Sequence, residues 1–96
     1  MFRFVVTKEA LEELDREIAY SKQRWGVQKA SVYRKELLAL VRKISENPEG
    51  YAENPLYGPS LRTVRFKGNR IVYTLNKKDK TVIILGFPSI HKAQPQ

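Results

Sequence analysis

The chain opens on Phe2-Arg3-Phe4-Val5-Val6, a short run of aromatic and β-branched residues that predicts a strand. Thr7 follows with a side-chain oxygen able to accept from the first backbone N–H groups of a helix. Glu9, Glu12 and Glu13 then lie near the positive end of that helix, where carboxylates are favoured. Leu11, Leu14, Ile18 and Trp25 share one helical face, and Gly26 can close the helix. A second stripe, Ala30, Tyr33, Leu37, Val41 and Ile44, widened by Leu38 and Leu40, predicts a helix from Val27 to Ser45. It ends at Asn47-Pro48, because the residue before a proline avoids the α region. The short link at Gly26 makes the two helices an antiparallel hairpin.

Residues 46–60 hold three prolines and two glycines and read as a loop. Beyond it the apolar period shortens to that of strands. Leu61–Phe66 and Arg70–Leu75 are joined by Lys67-Gly68-Asn69, where Gly68 and Asn69 tolerate the positive φ of a tight hairpin. Asn76–Lys80 forms another turn, and Thr81–Phe87 is a last strand ended by Pro88. The order β-α-α-β-β-β predicts one α+β domain over residues 1–96. In it a helical hairpin packs on one face of a small, mostly antiparallel sheet. A hairpin that returns the chain to the end of the first strand makes the second strand run opposite to the first. The third then runs parallel to the first and the fourth opposite again.

Alternation along the strands sorts their side chains. Val64, Phe66, Ile71, Tyr73 and Leu75 should join the core, together with Trp25 and Tyr33. Thr63, Arg65, Arg70, Val72 and Thr74 should share the uncovered face, with Lys67 beside them in the turn.

Composition narrows the chemistry. The 96 residues carry a net charge of +8, one histidine and no cysteine. Disulfides, thiolate zinc sites and cysteine nucleophiles are excluded, and a single histidine argues against a histidine metal site or a Ser-His-Asp triad. No phosphate-binding glycine loop or carboxylate pair is present, and no cofactor or metal is expected. The longest apolar stretch is too short to span a membrane, which makes the cytoplasm the expected location. The charge is segregated: from Leu61 to Lys80 there are seven basic residues and one acidic residue, Asp79. Such a surplus points to an anionic partner: nucleic acid, an acidic protein segment or an anionic surface. The competing reading is that strand cations serve only solubility and deter edge pairing. His91, beside Lys92 just past the last strand, is the one side chain whose ordinary pKa lies near neutrality and thus the one candidate acid or base.

Several features in order resemble the RelE/ParE superfamily of bacterial toxins. They are the opening strand with Thr7-Lys8-Glu9-Ala10-Leu11-Glu12-Glu13-Leu14, then Ile18-Ala19-Tyr20 and Trp25-Gly26, then Ile44 with Asn47-Pro48. Leu61-Arg62 to Phe66, Asn69-Arg70-Ile71-Val72-Tyr73, and Val82-Ile83-Ile84-Leu85 followed by His91 complete the set. The resemblance implies two helices on a small sheet and neutralisation by a cognate antitoxin protein. Its RelE-like branch cuts mRNA on the ribosome, and its ParE-like branch inhibits DNA gyrase. Arg70 matches the family's hairpin arginine and Arg62 a basic position in the preceding strand. Val64 stands where the nuclease branch tends to carry a lysine, and the tail holds neither Arg nor Tyr. Tyr20, Trp25-Gly26 and this reduced set place the chain nearer the ParE branch. The residues expected to contact the target are Arg65, Lys67, Arg70, His91 and Lys92, with Arg62 a lesser candidate. The alternative is a ribosome-dependent endoribonuclease using Arg62, Arg70 and His91, and a third is a basic interaction module without toxicity. Genome sequence around the gene checks the partner: a short adjacent reading frame for an acidic-tailed, DNA-binding antitoxin is expected.

Overall fold

A computed structural model describes residues 1–88. Strand β1 is Arg3–Val6, helix α1 Lys8–Trp25 and helix α2 Val27–Glu46. A 3-10 turn follows at Pro48–Gly50, then strands β2 (Arg62–Phe66), β3 (Asn69–Asn76) and β4 (Thr81–Gly86). The Thr7 hydroxyl accepts the Ala10 N–H at 3.2 Å and caps α1. Gly26 separates the helices at φ 97°, a conformation that side chains resist. Its N–H donates to the Lys22 carbonyl, ending α1, while its carbonyl accepts from Ala30 and starts α2.

The sheet order is β1-β4-β3-β2. β1 runs parallel to β4, and the other two pairs are antiparallel. The class is the expected one, but the strand directions are reversed from those read in the sequence: β2 and β4 run with β1, and β3 against it. The cause lies in the proline-rich connection. After Pro48–Gly50 the chain makes one more extended pass, with Glu53 bridging Arg62 and the amides of Asn54 and Thr63 bonded to Leu61 and Ala52. That pass takes the antiparallel direction expected of the second strand. The turn at residues 55–60 then inverts everything after it.

Both helices cover the same face. Leu37, Val41 and Ile44 of α2 and Ala10 of α1 meet Phe66, Ile71, Tyr73, Val82 and Ile84. Small Ala10 is fully buried and Leu14 packs at the margin, whereas Leu11 and Trp25 are 48 % and 55 % exposed. Trp25 is therefore not a core residue. It sits at the end of α1, with the Arg24 guanidinium 5.1 Å and the Lys29 ammonium 5.3 Å from its ring centre. Val72, expected on the open face, is 5 % exposed and stands where the β3–β4 register shifts. The sheet is not bare at that point.

Tyr73 is fully buried, and its hydroxyl donates to the Pro48 carbonyl at 2.6 Å. Tyr33 on α2 meets the Phe66 ring edge-on, with centroids 5.1 Å apart. Burial pushes both phenols up to about 12. Each is therefore neutral in the fold at pH values where an unfolded tyrosine, with its ordinary value of 10.0, ionises. Their contribution is complete below pH 10 and is lost as pH rises toward 12, so denaturation midpoints should fall across that window. Tyr73→Phe leaves the buried Pro48 carbonyl without its donor and should cost about 1–2 kcal/mol in chemical denaturation.

Candidate target-binding face

The β2–β3 hairpin closes on two residues, Lys67 and Gly68, because Phe66 already pairs with Asn69. Positive φ falls on Lys67, at 54°, rather than on Gly68 or Asn69. Asn69 is instead the first residue of β3, buried, and its side-chain amide donates to the Phe87 carbonyl at 2.9 Å.

Behind the turn, Arg65 and Arg70 stand directly opposite one another across the strands. Arg65 is exposed and Arg70 half-buried. Among the described residues neither takes part in an ion pair. Like charges directly opposed on a sheet repel, at a cost of roughly 0.2–1 kcal/mol. Two arginines at paired positions of neighbouring strands offer donors suited to carboxylate or phosphate. Binding such a group would relieve their repulsion.

Lys67 leaves this pair. Its ammonium lies 3.1 Å from Glu36 of α2 and 5.8 Å from the Phe66 ring centre, on the helical side. There it borders a groove of about 610 Å³ between α1 and α2, walled by Tyr20, Trp25, Val32 and Tyr33 with Glu17 and Glu36. The expected cluster of Arg65, Lys67 and Arg70 on one surface is thus divided between two.

Arg62 serves a third purpose. Its guanidinium donates to the carbonyls of Glu49 and Tyr51 and lies 3.6 Å from the Glu53 carboxylate. It fastens the chain between α2 and β2. The Glu49 carboxylate turns outward to Lys77 at 2.9 Å, and that hydrogen bond holds its carboxyl below the usual range.

His91 and Lys92 lie outside the described residues. The segment leading to them is firmly held. Phe87 donates its N–H to Glu13 at 2.9 Å, and the Pro88 carbonyl accepts from the Arg70 amide at 2.9 Å. Glu13, read in the sequence only as a helix-dipole carboxylate, is therefore a long-range anchor; no local pattern signals a contact 74 residues away. Among the described residues no group of three potential metal ligands converges. The two arginines offer the Arg65–Arg70 face positive charge and N–H donors of the kind that suit an anion.

These separate duties give opposite mutational signs. Arg62→Ala should destabilise the protein by roughly 1–2 kcal/mol, since the partly buried Tyr51 carbonyl and the exposed Glu49 carbonyl both lose a charged donor. Arg65→Thr should be neutral or stabilising by about 0.5 kcal/mol, as the repulsion with Arg70 disappears. Urea denaturation of both variants distinguishes a fastener from a free binding group.

Comparison with known proteins agrees with this architecture. The sequence pattern of the ParE toxin of the type II toxin–antitoxin system parDE matches residues 4–89. Toxin ParE1 of Caulobacter vibrioides is 42 % identical over 43 residues, a stretch that spans 45 % of each chain. Among solved structures, a chain of the chromosomal ParDE system from P. aeruginosa superposes with a TM-score of 0.79 at 18 % identity, covering 94 % of this chain and 97 % of that one. A chain of the intact E. coli RelBE toxin–antitoxin complex gives 0.59 at 16 % identity, with 93 % and 96 % covered. The fold is thus shared with both branches and the sequence pattern with one: this chain belongs to the ParE toxin family of type II toxin–antitoxin systems.

Proposed function

We propose that the protein acts as a ParE-type toxin that arrests growth by binding and poisoning DNA gyrase, in the cytoplasm, and that a cognate antitoxin neutralises it. The observation that carries this reading is the Arg65–Arg70 pair: two adjacent cations with no internal counter-ion among the described residues. They suit an acidic protein surface or a phosphate group. Arg62 supports binding over cleavage, because one of its amino groups serves the chain's own carbonyls and the other lies beside Glu53. A nuclease needs its cations free to stabilise a phosphorane. The antitoxin follows from relatives solved as ParDE and RelBE assemblies. A basic surface of this kind attracts an acidic, flexible segment. No helix among the described residues is long and apolar enough to cross a membrane.

Supercoiling by purified gyrase provides the test. The wild-type protein should inhibit it, and Arg65→Glu with Arg70→Glu should raise the inhibitory concentration about tenfold or more while the fold persists. His91→Ala should leave inhibition intact. Ribosome-dependent cutting of mRNA with unaffected supercoiling would overturn the proposal in favour of the RelE-like alternative. Failure of both activities, with normal growth on expression, would leave a basic interaction module.

A further inference from the structure

The tip of the α1–α2 hairpin stands clear of the core. Residues 22–29 are all exposed. Tyr33, which meets the Phe66 ring, lies six residues, or about 9 Å of helix, from the start of α2. The charge of this overhang has one sign. Between Glu17 and Glu36 the chain carries Lys22, Arg24, Lys29, Arg34 and Lys35 and no acidic residue. All five cations are exposed, and among the described residues none takes part in an ion pair.

Aromatic rings are interleaved with these cations. Tyr20 and Trp25 are each 55 % exposed, although their helical spacing favours the core or its margin. With Val32 and Tyr33 they wall the groove of about 610 Å³, whose lining also holds Glu17, Glu36 and Lys29. Arg24 and Lys29 both lie within 5.3 Å of the Trp25 ring centre. A cation over an exposed ring is held more weakly than a stacked base. A base can therefore take its place and leave the cation to meet a phosphate.

We propose that the hairpin tip binds single-stranded nucleic acid, with one base in the groove against Trp25 and Tyr20 and the neighbouring phosphates on Arg24 and Lys29. Three features select that occupant together. Exposed rings offer a stacking surface to a base whose faces are free, which a duplex does not supply. The unpaired cations attract the phosphate backbone. Glu17 and Glu36 can accept from the exocyclic amino groups of cytosine or adenine. An acyl chain in the groove would instead cover those two carboxylates without giving them a partner. An acidic peptide would meet them with like charge. The site is separate from the Arg65–Arg70 pair and does not depend on how the protein acts on its target.

Trp25 is the one tryptophan of the chain, so intrinsic fluorescence reports on this site alone. A short single strand of deoxyadenylate and deoxycytidylate is the probe, titrated into the full-length protein. Saturable quenching of Trp25 is expected. Trp25→Ala should keep the wild-type melting temperature to within a few degrees, since the ring is exposed. It should weaken binding of the fluorescein-labelled strand, read by anisotropy, about tenfold. Arg24→Glu with Lys29→Glu should weaken binding at least as much and flatten its dependence on salt. The same strand annealed to its complement should bind less tightly. An unquenched Trp25, unchanged affinity in both variants, or tighter binding of the duplex would overturn the proposal. Blue-shifted Trp25 emission on phosphatidylglycerol vesicles, with no response to the oligonucleotide, would overturn it in favour of a lipid surface. Gyrase enters none of these measurements, so the hairpin tip and the toxin's target stand or fall separately.

Discussion

A phenol sealed away from water must find an acceptor, and the fold is organised around the one that Tyr73 finds. Tyr73 lies in the interior strand β3 and is completely covered by the helical hairpin. Its acceptor, the Pro48 carbonyl, exists in the right place because Asn47-Pro48 stops α2 directly above the sheet. The chain emerging from Pro48 is thereby committed to cross the sheet beside β2. There the guanidinium of Arg62 collects the next free carbonyls, those of Glu49 and Tyr51. One buried hydroxyl and one arginine together explain why a proline-rich connection of ordinary appearance has a defined path.

That path accounts for what the sequence showed and what it hid. The helices and strands were legible from their apolar periods and from Thr7, Gly26 and Asn47-Pro48 at their ends. The strand directions were not. They depend on whether the chain between α2 and β2 crosses the sheet once more, and the crossing at Ala52–Asn54 has no alternating apolar residues to announce it. Trp25 misled for a related reason. It keeps helical spacing with Leu14 and Ile18, yet at the tip of the hairpin its neighbours are Arg24 and Lys29 rather than the core.

The basic hairpin was legible as a quantity of charge and not as an arrangement. Arg62, Lys67 and the Arg65–Arg70 pair occupy one short stretch, but their surroundings come from distant parts of the chain. Tyr51 and Glu49 claim Arg62, and Glu36 claims Lys67. Among the described residues the cross-strand pair remains unclaimed, and an unclaimed repulsive pair is a more specific pointer to a partner than net charge is. Asn69 shows the converse. A residue with strong turn propensity was drawn into the strand because its amide could satisfy the Phe87 carbonyl.

The strand order has a temporal meaning. Among the described residues β4 is the last strand, yet it sits between β1 and β3, and no other strand pairs with β1. Until Thr81–Gly86 has been synthesised, the amino-terminal strand lacks its ladder and the helical hairpin lacks much of the surface it covers. The Arg65–Arg70 hairpin can close locally, but the anchors that fix it from behind, Phe87 and Pro88, arrive later still. A nascent chain is therefore incomplete at its centre rather than at its margin. The finished surface comes into being only once β4 and Pro88 are in place, in one long-range closure.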